Sequence, residues 1–422
     1  MTENLKHFDM MRLPNRQWRV LSPITWLISF PKVWKHRAKI DKSGLPKDIK
    51  PPYFLLCNHN SFMDFMIMTR AIFPHRANYV VAIDGFIGME GLLRAVGGIC
   101  TRKFTKNITL VKHMLHVRDN GDIVALFPEA RYSLCGTTAV LPDSLGKMVR
   151  KMDIPVVMLT MHGHHVNSPF WQVGNRKVKP VEAEMKLLFT REEAQTLPID
   201  EINARLAEAF VYDDYAWQKS KGIRVKDKNR AEGLHKVLYQ CPACNTEYRM
   251  ASCKTELSCT HCGKVWEMTE LGELCAKTGE TEFSHIPDWY EWQRLNVRRE
   301  VEAGTYSFED EVRIEALPNA KGFVTFSHPG RLTHNMEGFT LTGTFANKPF
   351  TVHWSVPALY SCHIEYDYKG RGDCVDLNTN NDTFYLFPKG NDFAVTKISL
   401  ATEELYQNRS QETGDRNQGT KV

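Results

Sequence analysis

The sequence lacks long hydrophobic runs and a strong charge of one sign. No uninterrupted stretch of about 18 apolar residues occurs in it, so no membrane-spanning helix is predicted. The formal net charge is +5 over 422 residues, whereas nucleic-acid binding usually needs a strongly basic face. Hydrophobic residues still make up 42% of the chain. At this length we expect about two to three domains, each with enough apolar residues to bury a core.

Disulfide chemistry is also missing. The 11 cysteines are an odd number and lack the spacing of a small disulfide-rich secreted domain, which favours a reducing cytoplasm. Four of them form two Cys-x2-Cys pairs, Cys241 with Cys244 and Cys259 with Cys262. Two such pairs can place four thiolates around one tetrahedral zinc ion, which leaves no open position for catalysis. The sequence therefore predicts a structural zinc ribbon at residues 238–266.

Positive charge is concentrated at the N-terminus. Residues 1–50 hold 11 Lys and Arg against 4 Asp and Glu. They lack the apolar core and cleavage site of a signal peptide, and Pro23 and Pro31 interrupt their apolar stretch. That stretch contains Trp18, Leu21, Ile24, Trp26, Leu27, Ile28, Phe30 and Trp34. Tryptophan beside basic residues suits an anionic membrane surface, so we expect peripheral attachment to the cytoplasmic face of a membrane. The alternative is an ordinary helix packed on the next domain.

Residues 51–225 alternate between strand and helix patterns, which predicts an α/β fold class. Apolar runs predict strands near 53–57, 79–83, 123–127, 155–160 and 184–189. From 303 to 407, short alternating runs punctuated by Gly, Asn and Pro predict a small antiparallel β-domain closed by a short helix. That arrangement is loosely similar to pleckstrin-homology domains. The polar residues 408–422 predict a disordered tail.

Two motifs follow predicted strands, and the first contains His59 and Asp64. A histidine held by a carboxylate can take a proton from a hydroxyl group, and no residue nearby is typical of a nucleophile that would itself be acylated. The sequence therefore indicates general-base catalysis. His36 and Asp41 have the same spacing but lie in a basic segment without a predicted strand. The alternative for His59 is a capping or core histidine.

The second motif, Phe127–Ser133, contains Glu129 and Arg131. A carboxylate and a guanidinium at the carboxyl end of a strand lie where open α/β sheets bind ligands. Arginine suits a phosphate because its planar fork donates two hydrogen bonds at once. The alternative is an exposed Glu–Arg pair, which would contribute little to stability.

A histidine cluster, Met161–His165, follows the predicted strand near 155–160. Adjacent histidines at a strand end point in different directions, and no carboxylate cluster accompanies these in the sequence. We interpret them as pocket or loop histidines rather than metal ligands.

The motifs resemble those of the glycerolipid acyltransferases typified by 1-acylglycerol-3-phosphate O-acyltransferase. The family motif Asn-His-x4-Asp is matched by Asn58, His59 and Asp64, and the motif Phe-Pro-Glu-Gly-Thr-Arg-Ser by Phe127, Pro128, Glu129 and Ser133. Gly97–Arg102 is similar to a second motif, which nominates Arg102, and Ile154–Val157 is similar to a fourth. One departure stands out: Ala130-Arg131-Tyr132 replaces Gly-Thr-Arg, so the arginine is displaced by one position.

The resemblance implies an O-acyltransferase that moves a fatty acyl group from acyl-CoA or acyl carrier protein to a lysophospholipid hydroxyl. The implied acceptor is 1-acylglycerol-3-phosphate, which would give phosphatidic acid; the displaced arginine leaves another lysolipid or a lipid-like alcohol as the alternative. The resemblance implies that His59 is the general base and that Asp64 positions the His59 ring. It implies no metal or cofactor in the chemistry. The residues expected to bind the acceptor are Arg102, Glu129, Arg131 and Ser133. An interpretation from another class is a zinc-ribbon adaptor on an inactive scaffold, which the intact His59 and Asp64 disfavour.

Overall fold

A computed structural model describes residues 6–16, 18–105, 107–172, 174, 176–390 and 394–418. The strands form sheets of seven, four and eight strands, which correspond in chain order to the predicted α/β domain, ribbon and β-domain. The predicted fold class is thereby confirmed. In the part of the chain described, no helix has the length and apolar character needed to cross a bilayer.

The α/β domain begins with a helix that precedes its sheet. Its elements are α1 (Ser22–Lys35), β1 (Lys39–Gly44), β2 (Phe54–Cys57), α2 (Met63–Ala71), β3 (Ala77–Ala82), α3 (Glu90–Ala95), β4 (Ile99–Thr101), α4 (Ile108–Asp119), β5 (Ile123–Leu126), α5 (Leu145–Met152), β6 (Val156–His162), α6 (His164–Asn167), β7 (Glu182–Phe189), α7 (Arg191–Thr196), α8 (Ile199–Ala209) and α9 (Asp214–Ser220).

The seven strands of this sheet are ordered β1-β7-β6-β2-β5-β3-β4. All neighbours pair in parallel except β6 and β7, which are antiparallel. The central strand β2 is buried on both faces, because alternate residues enter different cores: Leu55 faces one and Leu56 the other. β1 is not among the predicted strands, because its residues are mostly polar. It lies at the edge of the sheet, where those residues are largely exposed.

The ribbon sheet contains β8 (Met250–Cys253), β9 (Glu256–Cys259), β10 (Val265–Met268) and β11 (Leu274–Ala276), and α10 (Ile286–Glu302) follows. The β-domain consists of β12 (Phe308–Leu317), β13 (Val324–Thr325), β14 (Gly330–Asn335), β15 (Gly338–Phe345), β16 (Lys348–Ser355), β17 (His363–Glu365), β18 (Cys374–Asn378) and β19 (Thr383–Pro388). Its pairings are antiparallel. The last helix, α11 (Val395–Gln418), follows this sheet.

One hydrophobic core joins the three modules. Tyr215 of the α/β domain belongs to the same buried cluster as Trp266 of the ribbon and Ile398 of α11. Trp266 also packs against Trp289 of α10 in an edge-to-face arrangement, with ring centroids 5.0 Å apart. The α/β domain thus has its own cores on both faces of its sheet and also contributes residues to a core that it shares with the ribbon and the β-domain.

The two chain ends differ from a simple reading of their composition. α1 packs on α2, and the ring centroids of Trp26 and Phe73 lie 5.0 Å apart. The side chains of Leu27 and Trp34 on the same helix are nevertheless 73% and 74% exposed. At the other end, α11 continues past residue 408 and ends at Gln418, while the disordered tail expected for 408–422 stays a prediction. Extending a helix that is already formed costs less than starting one. Residues 419–422 lie outside the described residues.

Candidate active site

The site begins where β2 ends. The amide of the buried Asn58 donates to the carbonyl of Met161 at 2.9 Å and accepts from the backbone N–H of Met161 at 2.8 Å. This two-way contact ties the end of β2 to the neighbouring strand β6. The next residue, His59, is consequently fixed at the carboxyl edge of the sheet, where ligands of open α/β sheets bind.

His59 and Asp64 form a hydrogen-bonded pair. His59 Nδ1 lies 3.0 Å from Asp64 Oδ2, and the Asp64 side chain is fully buried. The backbone N–H groups of Asn60 and Ser61 donate to the same oxygen, at 2.6 and 3.0 Å. With Nδ1 engaged, the Nε2 atom of His59 is the nitrogen left to accept a proton from a ligand. This is the arrangement expected of a general base, whose catalytic role stays a prediction.

The same-spacing pair of His36 and Asp41 does not resemble this arrangement. The ring of His36 lies 3.4 Å from the carbonyl of Val178, and Asp41 on β1 accepts from the backbone N–H of Ser43 at 2.8 Å. Each residue therefore makes its own local contact, and the structure separates the motif from its decoy.

A second histidine contacts Asp64. Nδ1 of the fully buried His164 lies 2.5 Å from Asp64 Oδ1, the oxygen that His59 does not use. Burial alone would raise the pKa of Asp64, but hydrogen bonds from His164 and His59 bring that pKa down to about 2. Burial lowers the pKa of His59, against the hydrogen bond that His59 donates to Asp64, which raises it. At neutral pH Asp64 is therefore ionised and His59 is largely available as a neutral base.

Aromatic rings hold the imidazole of His59. Phe127 stacks on it with ring centroids 4.0 Å apart, and Tyr132 lies 4.4 Å away. The turn between these two residues contains Ala130 at a φ of +55°, a left-handed conformation that glycine adopts without steric cost. The resembled motif has glycine at this position, which suits such a turn, and differs from this chain in the two residues that follow. Tyr132 thus reaches the histidine.

Glu129 and Ser133 brace the turn. The two carboxylate oxygens of the fully buried Glu129 accept from the backbone N–H groups of His59 and Ala139, at 2.9 and 2.8 Å. Burial raises the pKa of Glu129 to about 8 against these two hydrogen bonds. Ser133 Oγ donates to the carbonyl of Thr137 at 2.6 Å. The backbone N–H of Ser133 also donates to the carbonyl of His59 at 2.9 Å. Both side chains contact the backbone of the site, and their role in binding the acceptor stays a prediction.

Arg131 faces away from His59. Its Nη2 donates to Glu403 on α11 at 2.5 Å, and its Nη1 donates to Ser399 of the same helix. The Arg131 side chain is 4% exposed and that of Glu403 is fully buried. Glu403 also accepts from Arg294 and Ser361, each at 2.7 Å. In this structure Arg131 binds the C-terminal helix, and its expected contact with an acceptor phosphate stays a prediction.

Arg102 is held by the β-domain in the same way. Its Nη1 donates to Thr383 Oγ1 at 2.6 Å and to the carbonyl of Leu317 at 3.1 Å. Its Nη2 donates to the carbonyls of Asn381 and Pro318, at 2.6 and 3.3 Å. The guanidinium is buried and its terminal nitrogens are saturated by protein acceptors, so the expected contact with an acceptor phosphate would require these bonds to break.

A cavity of about 670 Å³ opens beside His59. Such a volume suits a small-molecule or lipid ligand. The α/β domain supplies apolar lining residues that include Leu110, Val111, Met114, Leu126, Phe127, Leu145 and Met148. The C-terminal modules supply Pro357, Ala358, Tyr360 and Tyr406. Tyr406 Oη lies 3.1 Å from Asp143 Oδ2, which attaches α11 to the loop before α5. The cavity is therefore enclosed jointly by the α/β domain, the β-domain and α11.

The four predicted zinc ligands come together at the ribbon. The ligand atoms of Cys241, Cys244, Cys259 and Cys262 lie within 4.8 Å of one another. The Cys241–Cys262 and Cys244–Cys259 sulfur distances are both 3.8 Å. Zn–S bonds of about 2.3 Å in a tetrahedron require sulfurs about 3.8 Å apart. The donor set and spacing therefore fit a structural zinc ion.

The sequence around the site matches a known family. Residues 37–162 match the Acyltransferase family model. This acyltransferase domain contains both motifs and the greater part of the seven-stranded sheet. The predicted family resemblance is thus confirmed at domain level.

Among solved structures, the chain is similar to the 1-acyl-sn-glycerophosphate (LPA) acyltransferase PlsC from Thermotoga maritima. The identity is 13% over 45% of this chain and 76% of that chain, with a TM-score of 0.37. At that TM-score the similarity carries no information about the substrate here. No curated protein matches the chain.

Sequence reasoning missed two contributors to the acyltransferase domain's site. Tyr132 was noted as part of the departure from the motif but not as a neighbour of His59, and His164 was interpreted as a pocket or loop histidine. The available signals were the left-handed turn implied by the motif's glycine and the position of His164 at the end of a strand that pairs with β2.

Proposed function

We propose that the protein is an acyl-thioester-dependent O-acyltransferase. Nε2 of His59 takes the proton from the acceptor hydroxyl as its oxygen attacks the thioester carbonyl carbon. The new C–O bond forms, the C–S bond breaks, and the imidazolium returns the proton to the departing thiolate. Asp64 fixes the Nδ1–H tautomer and stabilises the imidazolium. The observation that carries this proposal is the His59–Asp64 pair, in which Asp64 is fully buried and His59 lines an apolar cavity.

The contacts of the two arginines bear on the acceptor. Arg102 lines the cavity, but the terminal nitrogens of Arg102 and Arg131 donate to the C-terminal modules, so neither guanidinium offers a free fork for a phosphate. This favours another lysolipid or a lipid-like alcohol over 1-acylglycerol-3-phosphate. Lys103 also lines the cavity beside His59, and it forms no ion pair with the residues that the structure describes. If the acceptor is 1-acylglycerol-3-phosphate after all, Lys103 is the cation best placed to meet its phosphate.

Lipid substrates must reach the site from a membrane, and α1 supplies a surface for that purpose. Its exposed apolar residues Ile24, Leu27, Ile28 and Trp34 lie beside Lys32 and Lys35. Exposed Phe62 of the His59 loop lies within 6.0 Å of Lys32 Nζ. A face of this composition favours peripheral binding to anionic lipid at the cytoplasmic surface. The four ribbon cysteines would hold zinc, which serves folding and leaves the chemistry to His59.

The test is a transferase assay with purified protein, both acyl-CoA and acyl carrier protein donors, and a panel of lysolipids and lipid alcohols. His59→Ala should lower kcat by about 10²–10⁴-fold on the preferred pair of substrates. His36→Ala is the matched control and should leave kcat near wild type. Product formation by His59→Ala at the wild-type rate would overturn the mechanism. Absence of any transfer by the wild type would favour the adaptor interpretation instead.

Lys103→Met separates acceptors that carry a phosphate from acceptors that do not. With 1-acylglycerol-3-phosphate as acceptor, it should raise the acceptor KM by roughly tenfold or more, from the loss of one charge-assisted contact. An acceptor without a phosphate should show little change in KM.

A further inference from the structure

His164 occupies a rigid position behind Asp64. It is the first residue of α6, immediately after Gly163, which turns the chain at a φ of +84°. The carboxylate of Asp214 accepts from the backbone N–H groups of Gly163 and His165, at 3.0 and 2.8 Å. These bonds fix the turn, and the side chain of His164 is fully buried. Its ring therefore has little freedom to move away from Asp64.

The two oxygens of Asp64 have different partners. Oδ2 accepts from His59 and from two backbone N–H groups, whereas the hydrogen bond at Oδ1 comes from His164, at 2.5 Å. A carboxylate held at one oxygen alone can rotate about its Cβ–Cγ bond. The bond at Oδ1 opposes that rotation and keeps Oδ2 directed at His59.

The hydrogen-bonding capacity of His164 agrees with this arrangement. An ionised carboxylate accepts hydrogen bonds and donates none, so Nδ1 of His164 must carry the proton. Nε2 of His164 is buried and meets no partner among the described residues. A neutral ring with Nε2 unprotonated leaves no buried donor unsatisfied, whereas a cationic ring would.

We propose that His164 is a positioning residue for the general base, acting through Asp64 in a His59–Asp64–His164 chain. This inference rests on the proposed function and adds to it a residue that does not touch the substrate. His164 has two effects. It orients the carboxylate, and by donating to Asp64 it reduces the negative charge that His59 experiences.

The first experiment compares His164→Leu with His164→Asn. Leucine removes the donor, so kcat should fall by about 10–100-fold with little change in either KM, as is typical when the partner of a functional group is lost. Asparagine can place its Nδ2–H₂ group near the position of Nδ1 and should restore most of the lost rate. Circular dichroism and Tm show whether each variant folds.

The second experiment does not depend on activity. NMR titration of the labelled histidines measures the pKa of His59 in the free protein. Losing the His164 donor leaves more charge on Asp64, so His164→Leu should raise the pKa of His59, and His164→Asn should restore it. The other charged or titratable neighbours, Lys103 and His363 beside His59 and Asp214 beside His164, remain in all variants.

His165→Asn is the matched control. His165 is equally buried but packs against Trp171 and Tyr215, so its replacement should leave the pKa of His59 in place. An unchanged pKa in a folded His164→Leu variant would overturn the proposal, and so would a failure of asparagine to restore either quantity. If the wild type transfers no acyl group, the proposed function fails, while the titration still decides whether His164 and His59 are coupled through Asp64.

Discussion

Replacing Glu403 of the C-terminal helix α11 by glutamine should destabilise the protein beyond that helix, because Glu403 contacts residues of two other modules. Glu403 is the carboxylate between Arg131 of the acyltransferase domain and Arg294 of α10, at 2.5 and 2.7 Å. All three side chains are at least largely buried. Glutamine keeps the shape of glutamate but removes its charge. The buried Arg131 then lacks its carboxylate, while Arg294 retains Glu291 and Glu404.

The expected cost follows from this burial. Removing one partner of a buried ion pair typically costs about 3–5 kcal/mol, because the remaining charge is uncompensated. Exposed pairs contribute about 0–1 kcal/mol. Glu201 with Arg205 is such a pair, at 2.7 Å on α8 with both side chains more than 40% exposed. Glu201→Gln is therefore the control with the same chemical change in an exposed setting.

The effect should also depend on pH. Burial raises the pKa of Glu403, but the positive charges of Arg131 and Arg294 lower it by more. The pKa of Glu403 therefore lies below the ordinary value of 4.5. A carboxyl with a depressed pKa contributes stability that is present above its unfolded pKa and is lost as pH falls through its folded pKa. The difference in Tm between wild type and Glu403→Gln should therefore shrink as the pH is lowered below about 4.5.

The assay is urea unfolding of wild type, Glu403→Gln and Glu201→Gln, with acceptor KM measured for Arg131→Met. The midpoint for Glu403→Gln should fall well below the other two. Equal midpoints for the two glutamine variants would show that the buried cluster does not hold the modules together. A stable Arg131→Met protein with a greatly raised acceptor KM would restore Arg131 as the phosphate ligand and refute the structural interpretation.

Further predictions concern pH, the ribbon, the domain boundary and the membrane. Because burial lowers the pKa of His59 and the neutral ring is the active form, the acid limb of kcat/KM should lie below pH 6.5, and a limb above that value would contradict this. Cys241→Ser should abolish the binding of about one zinc ion per chain, measured by metal analysis, and lower Tm. Truncation after residue 230 opens the shared core and should abolish near-ultraviolet circular dichroism; a retained spectrum would argue for an independent domain. Leu27→Glu should weaken binding to anionic vesicles, whereas Val211→Glu, on another equally exposed apolar residue, should not.

The parts of the site that could be predicted from the sequence depend on short separations. His59 and Asp64 are five positions apart, so a strand followed by a helix brings them together almost unaided. The zinc cysteines lie in two compact turns, each of which places two sulfurs side by side. Apolar runs likewise predicted β2 and β5, because strands buried on both faces have few polar residues.

The contacts that could not be predicted join distant residues. Arg131 and Glu403 are separated by 272 positions, and Arg102 and Thr383 by 281. No local pattern shows which of many arginines meets which carboxylate or carbonyl. In the turn that follows Phe127, the one-position shift and the left-handed Ala130 accompany an Arg131 that contacts the C-terminal helix and a Tyr132 that contacts His59.

The pairing of Arg131 with Glu403 also has a consequence for synthesis of the chain. A ribosome adding about 5–20 residues per second needs roughly 14–54 seconds to make the 272 residues between them. During that time the acyltransferase domain has been made, but Arg131 lacks its partner Glu403, and the cavity lacks the lining residues of the β-domain and α11. The lining of the cavity is therefore completed only after α11 has been made. A chain that terminates early would leave a partly exposed core for chaperones or proteases to recognise.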